Sequence, residues 1–366
     1  MSLPGHHPPT QDGPTLLLGP LLRHVDPVSA TVWVETDRAC EVEVLGRTAR
    51  TFRVGGHHYA LVLVEDLEPG SATPYDVWLD GVPVWPEPDS AFPPSRIRTP
   101  GGTASFRLAF GSCRYASPRT VGRSAGIPPD ALDLYAQQVA AQPQEQWPDA
   151  LVLLGDQVYA DELTHETKSL LHRRRHGRQE RSGAPRDQVA DFEEYTRLYF
   201  ESWRDPQVRW LLSTIPSSMI FDDHEMIDDW NTSAAWREKM TREPWWQGRI
   251  TGGLMSYWIY QHLGNLSPQE LAENKTWQAI QGLSADPRTP TGTPSRCCGR
   301  WRSAPTRTRP ASGGASYGTG ARPGCSWSTP APAGCSRNRT AGCSTTRSST
   351  GSRPRWPGRS RRASST

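Results

Sequence analysis

Short apolar runs separated by turn signals dominate the first hundred residues. Leu16–Leu22, Thr31–Glu35, Glu41–Leu45, Tyr59–Leu67 and Tyr75–Leu79 are divided by Asp26-Pro27, Gly55-Gly56, Glu68-Pro69-Gly70 and Asp80-Gly81. Runs of this length and spacing predict a small antiparallel β-sandwich over residues 14–100. Alternation in Thr31–Val34 puts Val32 and Val34 on one face and leaves Trp33 to cover the other. His57 and His58 have no acidic cluster beside them in sequence and read as packing residues.

The pattern changes after Pro86–Gly102, which is rich in Pro and Gly and reads as a linker. Phe106–Phe110 predicts a strand, and Asp130–Gln142 a helix capped by Asp130. Ala150–Leu154 is a continuous apolar run, as in a strand buried on both faces. Gln188–Trp203 has helical periodicity, with Phe192, Tyr195, Tyr199 and Trp203 near one face as a core stripe. Ser218–Phe221 predicts a further strand, Ile250–Leu263 a buried helix, and Ser267-Pro268-Gln269-Glu270 a capped helix start. The polar stretch Glu162–Asp187 carries Arg173, Arg174, Arg175, Arg178 and Arg181. It reads as a solvated excursion, with phosphate contact as the other reading. The class is α+β, with a second domain over residues 103–286.

Three strands of that second domain end in chemistry. The first runs into Cys113, the next into Gly155, Asp156 and Tyr159, and the last into Asp222-Asp223-His224-Glu225. Ligands favour the C-terminal edge of such strands. A thiolate, carboxylates, a phenolate and an imidazole brought to one edge make a metal site. Asp228, Asp229 and Asn231 follow closely and either join the ligands or cap a helix from Ala234.

Phe110-Gly111-Ser112-Cys113, Gly155-Asp156-Gln157-Val158-Tyr159-Ala160-Asp161 and Asp222-Asp223-His224-Glu225, in this order, resemble the PhoD-type alkaline phosphatases of the calcineurin-like metallophosphoesterases. The resemblance runs from about Leu16 to about Leu283. It implies an αββα metallophosphoesterase sandwich, truncated here, and metal-assisted hydrolysis of a small phosphoester. It also implies two or more metal ions, Fe3+ and Ca2+. Asp156 would bridge them, Cys113 and Tyr159 would bind the ferric ion, and Asp223, where relatives carry Asn, would bind the harder ion. His224 would act as the catalytic residue. The resemblance further calls for histidines in a later Gly-Asp-x-His-His-like segment, whereas the last histidine here is His262.

Charge is unevenly spread. The net charge is +3, but all 38 acidic residues lie at or before Asp286. Residues 287–366 hold 15 arginines and no lysine, so the body carries −12 and this tail +15. The tail lacks Leu, Ile, Val, Met and Phe, and holds five of the seven cysteines. Such a segment cannot bury a core, which predicts disorder. Its composition is that of GC-rich coding DNA translated out of frame; a basic nucleic-acid-binding arm is the other reading, and the only route to such a partner. Residues 1–13 are likewise expected to be disordered. No secretory or twin-arginine pattern is seen, which predicts a cytoplasmic location. No run of 18 apolar residues occurs, so no membrane span is expected.

Overall fold

The computed structural model describes residues 13–102, 105–116, 129–175 and 183–285, all within one compact unit. The expectations for residues 1–12, Arg178, Arg181 and the arginine-rich tail lie outside these residues.

Ten strands occupy the described part of residues 13–98. β1 (Leu16–Val25), β2 (Ala30–Thr36), β6 (His57–Val64) and β5 (Phe52–Val54) form one antiparallel sheet in the order β1-β2-β6-β5. β4 (Arg47–Arg50), β3 (Glu41–Val44), β8 (Val77–Leu79) and β9 (Val82–Trp85) form another, in the order β4-β3-β8-β9. β7 (Ala72–Pro74) and β10 (Arg96–Arg98) pair separately, so the expected linker contributes a strand. Val32, Val34, Ala60 and Val62 of the first sheet pack on Val42, Val44, Val77 and Leu79 of the second. This is a sandwich with its own core. The opposite face of the first sheet is also buried. Trp33, Tyr59, Phe52 and Leu61 join a larger cluster with Trp203, Tyr199 and Tyr260. Alternation along β2 therefore seeds two cores from one strand.

The second half is built on a parallel sheet ordered β11 (Leu108–Gly111), β12 (Ala150–Leu154), β13 (Ser217–Ile220). Helices α1 (Ala131–Ala140), α2 (His165–Arg175), α3 (Phe192–Trp203) and α4 (Pro206–Thr214) lie between and after these strands. α5 (Ala234–Thr241), α6 (Trp246–Ser256), α7 (Pro268–Glu273) and α8 (Lys275–Ala285) follow. The observed class is α+β. Asp130 caps α1 through Leu132 N, and Ser267 and Glu270 form the capping box of α7. α5 is capped by Ser233, which leaves Asp228, Asp229 and Asn231 without that role.

β12 departs from the expectation of burial on both faces. Leu151 and Leu153 are buried, while Leu154 is 37% exposed. Phe106, Leu108 and Phe110 are 65%, 50% and 71% exposed. The sheet thus has one covered and one open face: Leu151, Leu153 and Met219 join a cluster with Leu18 and Leu21 of β1, while among the described residues Phe106, Leu108 and Phe110 stay exposed.

α6 continues into a π-helical segment, Tyr257–His262. The wider turn places Trp258, Ile259, Tyr260 and Gln261 inside together, where an α-helix would turn some of them outward. Arg23 of β1 reaches this segment, donating to Gln261 O (2.6 Å) and Asn265 Oδ1 (2.9 Å). The polar excursion also gains structure. In α2, Arg175 forks onto the buried Glu194, and Arg174 meets Asp191 and Glu194.

His57 does more than pack. Its Nδ1 lies 2.9 Å from Glu35 of β2, and its Nε2 lies 3.1 Å from Glu193 of α3. Burial pulls its pKa down, but the two carboxylates outweigh that and raise it from 6.5 to about 9. A folded-state pKa above the unfolded value means that the stabilisation is fully present below pH 6.5 and is lost as pH rises through 9. Stability should therefore fall by about 1–3 kcal/mol across that window. Chemical denaturation at several pH values checks this, and His57→Gln should flatten the dependence.

Candidate metal centre

The three parallel strands end side by side, and their following loops form the site. Gly155 makes the turn after β12 with φ +96°. A Cβ there would lie 2.3 Å from Asp222 Cβ, so the loops after β12 and β13 touch at a point only glycine allows. Cys113 and Asp156 adopt φ +55° and +49°, a left-handed conformation uncommon for such residues. The backbone ties them together, with Arg114 N donating to Asp156 O at 3.1 Å.

Glu225 holds this arrangement. Asp222-Asp223-His224-Glu225 is a short 3₁₀ turn closed by a capping box between Asp222 and Glu225. The buried Glu225 carboxylate accepts from Asp156 N (3.1 Å), Gln157 N (2.8 Å), Asp222 N (2.8 Å) and Gln261 Nε2 (2.9 Å). Amides from two different strand ends thus converge on one side chain.

Asp156, Asp223 and His224 offer ligand atoms that all lie within 4.8 Å of one another. Asp223, Asp228 and Asp229 form a second, more exposed group of the same kind. Cys113 is exposed, and its thiol hydrogen-bonds Asp156, which pushes its pKa up. Burial, then the charge of Asp222, raises the Asp156 pKa. Burial, then Asp156 and Cys113, raises that of Tyr159. Burial and neighbouring acidic groups together gather negative charge here, with His224 as the one basic side chain of the group. Carboxylate, thiol, phenol and imidazole donors suit a metal ion in that position.

The ring of Tyr159 lies 4.5 Å from that of His224. His224 Nδ1 lies 3.0 Å from Asp161 Oδ1, and Asp161 Oδ2 accepts from Asp228 N. Burial lowers the His224 pKa, but Asp161 outweighs it and the net shift is upward. Asp161 and Glu225 both stand in the motifs singled out from the sequence, yet neither was assigned a role there. The spacing of Asp161 beyond Asp156 signals a side chain at the same edge, but only the fold shows that it meets His224.

Glu225→Gln would place an amide NH2 against N–H donors in either orientation, Asp156 and Asp222 on one side or Gln157 and Gln261 on the other. Its expected cost is about 2–4 kcal/mol, read by denaturant titration, whereas the exposed Glu238→Gln should change stability by less than about 0.5 kcal/mol.

The model of the PhoD-like phosphatase family matches residues 132–279. That span contains Asp156, Tyr159, Asp223 and His224 but not Cys113. Residues 13–97 match a domain of unknown function, DUF7800. No curated protein matches the chain. Among solved structures, one titled "Structure of PhoD" is 15% identical, with a TM-score of 0.44 over 72% of this chain and 48% of that one. The chain thus spans about half the length of that protein.

Proposed function

From the match of residues 132–279 to the PhoD-like phosphatase family, we propose that the chain is a metal-dependent phosphoester hydrolase acting on a small phosphomonoester or phosphodiester. The observation that carries this reading is the approach of Asp156, Asp223 and His224 to within 4.8 Å at the C-terminal edge of a parallel sheet. Asp156 would be one of the residues that hold the metal. Cys113 and Tyr159, strong anionic donors, suit a ferric ion, and Asp223 suits a harder ion such as calcium. Metal ions held by these residues would supply Lewis acidity. Asp161 holds His224 through Nδ1, and Nε2, 3.7 Å from the exposed Asp228 carboxylate, would turn to hydrogen-bond a phosphoryl oxygen or to protonate the leaving oxygen. Glu225, which accepts from Asp156 N, and the Asp156 carboxylate, which accepts from His224 N, keep the loops in register with that imidazole.

Hydrolysis of p-nitrophenyl phosphate with added metals and with chelator tests the reading. Turnover that requires metal is expected. Turnover untouched by exhaustive chelation would sink it. Adding ferric ion should also produce a visible phenolate-type band from Tyr159 that weakens in Cys113→Ser. An identical spectrum in both proteins would remove Cys113 from the ligand set.

A further inference from the structure

Beside the metal centre lies a cavity of about 30 Å³ that shares Tyr159 with it. Tyr115, Leu163 and Leu198 form other walls, and Gln157 and Glu201 supply polar lining. Both polar side chains are nearly inaccessible, at 1% and 3% exposure. Each has an oxygen, Oε1, that is buried and has no hydrogen-bond partner.

These two acceptors are not free to turn away. Gln157 donates through Nε2 to Gly155 O (2.9 Å), which fixes the amide and leaves Oε1 as an acceptor. The other oxygen of Glu201 takes the Thr167 hydroxyl. Nearby arginines bind other groups, although Arg197 Nε and Arg204 Nε are themselves buried without a partner. Arg114 binds Asp130 and Ser202, and Arg197 and Arg204 bind Glu166. Among the described residues no Arg, Lys or His forms an ion pair with Glu201. A buried carboxylate without a cation is costly, and an unmatched buried acceptor calls for a donor. The Tyr115 pKa rises through burial and then through Glu201 and Glu162. The Tyr115 and Tyr159 rings, 5.3 Å apart at 62°, offer π faces that favour a positive group.

We propose that this cavity is a leaving-group subsite for a protonated primary amine, held by Glu201 Oε1 and Gln157 Oε1 against the two tyrosines. Resting on the phosphoester reading above, it makes the substrate class the phosphate ester of a short amino alcohol. The volume sets a limit. It accommodates one or two water-sized groups, enough for an ammonium but not for a trimethylammonium, which in any case has no N–H to give the two acceptors.

Calorimetric titration of the full chain without metal tests this, using ethylammonium, tetramethylammonium and ethanol as probes at matched ionic strength. Saturable binding of ethylammonium is expected, with the other two at least about tenfold weaker. Glu201→Gln should weaken ethylammonium by about tenfold or more, the loss of one hydrogen bond to a charged group. Equal responses to ethylammonium and tetramethylammonium, equal responses to ethylammonium and ethanol, no saturable binding, or an unchanged Glu201→Gln variant would each overturn the proposal. Should that variant fail to fold, the comparison of the three probes on the unaltered chain still decides. Hydrolysis of p-nitrophenyl phosphate, which carries no amine, is measured on the same preparation. Ammonium binding without hydrolysis separates failure of the phosphoester reading from failure of the subsite.

Discussion

The site depends on one buried carboxylate. Glu225 accepts backbone N–H groups from Asp156, Gln157 and Asp222 and the side-chain amide of Gln261. Those groups have no water to turn to, so the side chain that satisfies them also sets where the loops lie. Cys113 and Asp156 are held in left-handed conformations that an unsupported loop would leave. The positions of the candidate ligands thus follow from satisfied backbone donors, with the Cys113 thiol and the His224 backbone N–H adding hydrogen bonds to Asp156.

The support for Glu225 reaches into the N-terminal sandwich. Gln261, which donates to Glu225, also donates to Tyr199 OH. Tyr199 stacks on Tyr260 at 4.1 Å, and Tyr260 donates to Glu35 of β2. Trp33 packs against Trp203 and Tyr260 on the same side. Removing such a buried Trp costs about 3–5 kcal/mol. The sandwich therefore does mechanical work for the parallel sheet: one of its faces is the floor on which α3 and the π-helical segment rest. The opposite side of the parallel sheet has no such cover among the described residues, and Phe106, Leu108 and Phe110 stand open there.

Much of this was legible in the sequence, for identifiable reasons. Alternation at Val32, Trp33 and Val34 fixed which residue faces which core. Asp130 and Ser267 marked helix starts because capping is local chemistry. The three strand ends were marked by abrupt change from apolar to polar residues, and the fold places them at one edge. What was not legible is non-local. Leu154 looks buried in an apolar run, but exposure depends on whether another layer arrives. The π segment breaks the 3.6-residue period on which Ile250–Leu263 was read as a single helix. His57 lacks acidic neighbours in sequence, yet β2 and α3 bring it Glu35 and Glu193. The match of Glu201 and Gln157 across one cavity joins residues 44 positions apart by number.

The central claim is that the ends of β11, β12 and β13 together hold a metal ion. Equilibrium dialysis with Mn2+, read by electron paramagnetic resonance, tests it on the unaltered chain and on Asp156→Ala, with circular dichroism confirming that both are folded. The account predicts bound Mn2+ in the unaltered chain and a loss of affinity in Asp156→Ala beyond the roughly 10–100-fold typical of an outer-shell partner. Equal Mn2+ binding by the two folded proteins would contradict it.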